Sequence, residues 1–129
     1  MFVDQVPRTS ESTTNQYILD KLRSSQISPD LDILLTIAEL ANNAVIKSEN
    51  NGQPNQEIGD PIDIALIKAI QYLEEQKIRP LVNDERFSEL PFDSTRKRMS
   101  SVVKKDSQTY VLYTKGAPEF LIELCDQFI

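Results

Sequence analysis

Between Ser94 and Lys115 the basic residues Arg96, Lys97, Arg98, Lys104, Lys105 and Lys115 stand against a single acid, Asp106. Lysine and arginine supply charge-assisted donors, so such a segment on adjacent strands could hold a polyphosphate where no glycine loop exists. Phe92 precedes it in Leu90-Pro91-Phe92-Asp93-Ser94-Thr95-Arg96-Lys97. An aromatic ring beside cations lets a base stack while phosphates meet positive charge. Asp60 and Asp63 fall at the start of a helical pattern, near the positive end of its dipole. Asp60 suits a cap, and Asp63 could accept a hydrogen bond from the exocyclic amine of a base. In Lys115-Gly116-Ala117-Pro118-Glu119 a lysine ends a strand, and a glycine lets a ligand approach the backbone closely. Each feature also has a plainer reading: a solvated hairpin face, a core phenylalanine, a capped helix and a strand-to-helix turn.

The whole chain bounds these options. Its 129 residues carry 14 Lys+Arg and 20 Asp+Glu, a formal charge of -6, which opposes sequence-independent nucleic-acid binding. With no His and one Cys, no His-containing or multi-Cys zinc site, Cys–His dyad or Ser–His–Asp triad can form. Gly52, Gly59 and Gly116 cannot make either glycine-rich phosphate motif. The most apolar stretch, Leu31 to Ile46, is broken by Asp32, Glu39, Asn42 and Asn43 and falls short of a membrane span. Cys125 reads as a small apolar residue on a buried helix face, and no secretory pattern opens the chain. The length and the 40% hydrophobic fraction suit one globular domain over residues 1–129.

The elements that must position these groups follow from capping and periodicity. Met1 to Val6 suits a short edge strand, Arg8 to Asn15 a loop, and Tyr17 to Leu22 a turn or short helix. Ser28-Pro29-Asp30 precedes Leu31, Leu34, Leu35, Ala38, Ala41 and Val45, predicting a helix from about Pro29 to Ile46. Ser48 to Glu57 is a turn-rich connection. Asp60 and Pro61 then open a second helix to about Lys77, its stripe formed by Ile62, Ala65, Leu66, Ala69, Ile70 and Leu73. Glu85 to Phe92 reads as a strand with Phe87 inward, and Met99 to Lys104 with Thr109 to Lys115 as an antiparallel hairpin. Pro118 opens a last helix with Phe120, Leu121, Leu124 and Cys125 on one side. The class is α+β, helices packed on an antiparallel sheet.

Three segments together resemble a known family. Gly59-Asp60-Pro61-Ile62-Asp63-Ile64-Ala65-Leu66, Leu90 to Ser100 and Lys115 to Glu119 are similar, in order, to the signatures of the nucleotide-binding domain of P-type cation-transporting ATPases. The resemblance implies that adenine stacks on Phe92, that Lys97 lines the pocket, and that Lys115 closes its floor. It further implies that Asp63 meets the adenine side and that Gly116 and Ala117 shape the wall. Ser94 and Arg96 are candidate phosphate contacts; Ser94 stands where calcium pumps often carry an Arg, and the Phe-x-Ser-Thr-x-Lys form is closer to sodium and proton pumps.

The same resemblance implies ATP as ligand, with Mg²⁺ bound mainly through a domain absent from this sequence. Phosphoryl transfer would go to an aspartate in a DKTGT motif elsewhere, so no catalytic or metal-binding residue is expected here and the isolated chain should not hydrolyse ATP. The implied partners are the phosphorylation and actuator domains of one pump, on the cytoplasmic side of a membrane that this segment does not enter. The family's further ATP-contacting Arg lies beyond Ile129, so the chain is expected to stop inside the family domain or to be a shortened version. The competing reading is a soluble α+β interaction module whose basic hairpin meets an acidic partner without nucleotide specificity; a self-contained phosphatase fits less well.

Overall fold

A computed structural model describes residues 11–48 and 55–127. The reading of Met1 to Val6 as a strand lies outside them. Four helices accompany two antiparallel sheets: α1 (Glu11–Ser24), α2 (Pro29–Leu40), β1 (Val45–Lys47), β2 (Gln56–Ile58), α3 (Pro61–Glu75), β3 (Arg86–Asp93), β4 (Arg98–Lys104), β5 (Tyr110–Gly116) and α4 (Pro118–Leu121). The larger sheet has the order β3-β4-β5, and β1 and β2 form a separate two-stranded ribbon. This is the expected α+β class.

Local chemistry sets the helix starts. The Ser28 hydroxyl accepts from Leu31 N, and Asp60 Oδ1 accepts from Ile62 N at 2.9 Å, with Pro29 and Pro61 in the first turns. The ends are set by tertiary partners. α2 stops at Leu40, short of the expected Ile46, because the Asn42 amide donates to Ala38 O at 3.1 Å and so satisfies a carbonyl the next helical turn would have used. The β-branched Val45 and Ile46 then pair with Ile58 and Glu57, which turns part of the expected loop into the ribbon. Gly59, at φ 137°, closes that ribbon where a Cβ would lie 2.9 Å from Ala44 Cα. α1 is a helix of 14 residues, longer than the expected short turn, and Leu19 buries its apolar side.

Both hairpin turns of the larger sheet are stapled by an aspartate. Asp93 Oδ1 accepts from Thr95 N and Arg96 N at 2.9 and 2.8 Å, and Asp106 Oδ1 accepts from Gln108 N and Thr109 N at 2.9 and 2.8 Å. The sheet's inner face carries Met99, Ser101 and Val103, all buried. Ser101 Oγ donates to Leu40 O at 2.7 Å, which fastens α2 to the central strand.

Three expectations about facing are corrected. Phe87 is 64% exposed and sits edge-on to Tyr110 with ring centroids 5.2 Å apart, because the bulge between Arg86 and Ser88 turns it to the outer face. On α3 the inward side runs through Leu66, Ile67, Ile70 and Leu73, while Ile62, Ala65 and Ala69 are exposed, so the packed stripe is rotated from the one expected. The last helix is a single turn followed by a 3₁₀ turn, Ile122–Leu124, and leaves Cys125 exposed, since so short an element covers little.

Arg79 is the most heavily bonded side chain of the helical layer. Its Nε donates to Asp32 Oδ1 at 2.7 Å, one terminal nitrogen donates to Glu39 Oε2 at 2.9 Å, and the other to Thr36 Oγ1 at 2.8 Å. Burial alone would lower its pKa, but the hydrogen bonds it donates to Asp32 and Glu39, with the charges of the two carboxylates, hold it above the ordinary arginine value. Glu39 in turn accepts from Val82 N at 2.8 Å. Replacing Arg79 by Met should therefore destabilise the domain by about 3 kcal/mol, because it strands the largely buried Glu39 carboxylate; urea unfolding of both proteins measures the difference.

Candidate functional site

One cavity of about 540 Å³ opens where α3 begins, β3 turns into β4 and β5 ends; Asp60, Ile62, Asp63, Phe92, Lys97, Met99, Lys115, Gly116 and Ala117 line it. Six residues singled out in the sequence, Asp63, Phe92, Lys97, Lys115, Gly116 and Ala117, meet here although they come from separate segments. Ser94 and Arg96 do not line the cavity. Ser94 is exposed on the turn, and Arg96 donates from its guanidinium to Pro91 O at 2.9 Å.

Phe92 is 62% exposed, which removes the reading of it as a core residue. A large ring left open beside a cavity is an apolar surface without a protein partner. Ile62, 69% exposed, and the buried Met99 add apolar walls. Sequence reasoning missed both: Ile62 was assigned to a packed stripe, and Met99 carried no signal beyond its place in a strand. Asp60 was read as a cap, and it is one, but it also borders the cavity.

The polar side of the cavity is organised by an ion pair. Lys115 Nζ bonds Asp63 Oδ1, with the two side chains 24% and 14% exposed. The pair locks the end of β5 to the first turn of α3, where the helix dipole favours the carboxylate. Among the described residues no carboxylate pairs with Lys97, so its charge remains available at the rim. The expected basic island is thus divided. Lys97, Arg98 and Lys115 gather at one end of the hairpin, while Lys105 pairs with Asp84 at the other, roughly 20 Å away by the rise of a seven-residue strand.

Backbone geometry completes the cradle. Lys97 adopts φ 55°, a left-handed conformation that Lys rarely takes. Its N–H donates to Asp93 O at 2.7 Å, and its carbonyl accepts from Ala117 N at 3.0 Å. Gly116 lies against this carbonyl so closely that a Cβ would stand 2.4 Å from Lys97 O and 2.6 Å from Arg98 Cβ. The glycine is required by the approach of two backbones.

An α+β domain with three signature segments around one cavity has the form of a P-type ATPase cytoplasmic domain. A family model described as "P-type ATPase, cytoplasmic domain N" matches residues 30–129, and the chain belongs to that family. It is 35% identical over 102 residues to the sodium/potassium-transporting ATPase subunit alpha-4 of Homo sapiens, covering 75% of this chain and 10% of that protein. It is also 35% identical over 111 residues to calcium-transporting ATPase 1 of Bacillus cereus, covering 85% and 12%. A third relative, the alpha-A subunit of the sodium/potassium-transporting ATPase of Artemia franciscana, is 29% identical over 133 residues. The chain spans about a tenth of the length of these relatives. Among the described residues, no helix is long and apolar enough to cross a membrane.

Two outcomes follow from this geometry. Gly116→Ala should cost about 1–3 kcal/mol in urea unfolding, the range for overpacking, and should speed hydrogen exchange at the Ala117 amide as its bond to Lys97 loosens. The second concerns acid. Hydrogen bonds from the Arg96 and Thr95 amides hold the Asp93 carboxyl below the ordinary 3.8. A depressed folded-state value means that its support of the turn is present above that ordinary pH and disappears as pH falls through the folded value. The Thr95 and Arg96 amide NMR shifts should therefore titrate together, with a midpoint below 3.8.

Proposed function

We propose that residues 1–129 act as one nucleotide-binding domain, part of a cation-transporting P-type ATPase, and hold the adenosine end of ATP. The observation that carries this reading is the convergence of an exposed aromatic ring, Phe92, with Lys97 and the Lys115–Asp63 pair around one cavity. The ring supplies a stacking face and Ile62 and Met99 an apolar slot, and Lys97 supplies the positive charge for the phosphate side; Ser94 and Arg96, on the adjoining turn and outside the cavity lining, could meet only phosphates that extend beyond it. Gly116 and Ala117 bring backbone against the ligand.

The domain's contribution is positioning. By fixing the base, it would present the γ-phosphate to an aspartate on the phosphorylation domain, converting a bimolecular encounter into a local one. Mg²⁺ would travel with the phosphates and be held mainly by that other domain, since the Asp63 carboxylate in this cavity is committed to Lys115. The actuator domain is the other intramolecular partner, and the whole assembly would sit on the cytoplasmic side of a membrane. Hydrolysis by the isolated chain is not expected.

Titration of the isotope-labelled chain with ATP, with tripolyphosphate as control, tests the assignment. Amide shifts at Asp63, Phe92, Lys97 and Lys115 with ATP and not with tripolyphosphate support it. Phe92→Ala should weaken ATP binding by about 5- to 150-fold, the range that base stacking on an aromatic ring supplies. A folded Phe92→Ala protein that binds ATP as tightly as the parent would overturn the adenine-stacking role; equal response to both ligands would favour an interaction module whose basic rim reads charge alone.

A further inference from the structure

We infer that Asn42, which does not line the cavity, is a positioning residue for it, setting where Asp63 stands and thereby where Lys115 is held. This rests on the reading of the cavity as the ATP site. Asn42 is 5% exposed, and each polar atom of its side chain is engaged. Its amide nitrogen donates to Ala38 O at 3.1 Å and to Asp63 O at 3.0 Å, while its amide oxygen accepts from Ala44 N at 2.8 Å. Its own carbonyl accepts from a terminal nitrogen of Arg86 at 2.9 Å, at the start of β3. One buried side chain therefore joins the end of α2 to the first turn of α3, and its backbone joins the same point to the sheet.

Asp63 passes the constraint on. Its carbonyl is held by Asn42, and its carboxylate holds Lys115 at the end of β5. The two bonds fix both sides of the cavity's polar wall relative to each other. Capping alone does not require this arrangement, because the bond from Asn42 to Ala38 O already terminates α2. The bond to Asp63 O spans 21 residues and serves only the placement of α3.

This division of labour makes the role separable from stability. Asn42→Ser keeps a small hydroxyl beside the end of α2 but is too short to reach Asp63 O, and it also gives up the amide oxygen that accepts from Ala44 N, so its affinity loss is read against its loss of stability. As a control, Ser101→Ala removes a different buried bond to α2, that to Leu40 O, without touching α3. Pairing with Asp63 should slow exchange of the Lys115 ammonium protons, and their NMR signal needs no nucleotide. In Asn42→Ser this signal should broaden and ATP affinity should fall about five-fold, the worth of one buried hydrogen bond; in Ser101→Ala both should stay at parental values. If the Lys115 signal is unchanged in Asn42→Ser, or if the two variants lose affinity in proportion to lost stability, the inference is overturned. Failure of the parent chain to bind ATP would remove the proposed function, while the Lys115 signal still decides the role of Asn42 in placing the pair. Should Asn42→Ser not fold, Lys115→Met reads the same coupling from the far end: the Asn42 side-chain amide resonances should move, and their constancy would overturn the proposal.

Discussion

The buried guanidinium of Arg79 is the constraint on which the helical layer depends. It reaches three residues of α2, Asp32, Thr36 and Glu39, from a position just past the end of α3. A planar fork with fixed donor directions leaves little freedom in how the two helices lie against each other. With α2 so held, its C-terminal carbonyl meets Ser101 on the central strand, and Asn42 meets the start of α3. Of these two bonds only that from Asn42 reaches a residue of the cavity, Asp63, while the apolar side chains of Phe92 and Ile62 line its open side.

The two ends of the hairpin show a division of charge that composition conceals. Lys105 directly follows β4 and Lys115 lies on β5, and each is matched to its own aspartate, Asp84 and Asp63, at opposite ends of the sheet. Pairing converts much of a basic segment into local structure. Among the described residues without an ion pair, Arg96, Lys97 and Arg98 stand at or beside the turn between β3 and β4, near the aromatic ring, and Lys104 at the far end of β4.

Much of this was legible in the sequence where the signal was local. Ser28, Asp60 and the prolines after them announced α2 and α3, and the turn residues around Asp106 announced the hairpin. Residue types and spacing mark Phe92, the basic segment, Asp63 and the Lys115–Gly116 junction each with a plainer alternative, and only the resemblance of the three segments to one family joins the six into a pocket. The misses have a common cause: each was decided by something distant in the chain. α2 ends early through Asn42 and its surroundings, Phe87 turns outward through a bulge set by the facing strand, and Cys125 is exposed because the final helix is too short to cover it. The Arg79 cluster gave no sequence signal, since its partners lie 40 to 47 residues away.

The left-handed backbone of Lys97 has a thermodynamic consequence for whatever enters the cavity. Such a conformation costs a non-glycine residue on the order of 1–2 kcal/mol, and here folding meets that cost, through the bonds to Asp93 O and Ala117 N and the close approach of Gly116. A ligand then finds the rim already ordered, and little conformational entropy is lost when it arrives. Association with a wall of this kind varies little in encounter rate, so changes in affinity among variants would appear chiefly as changes in residence time.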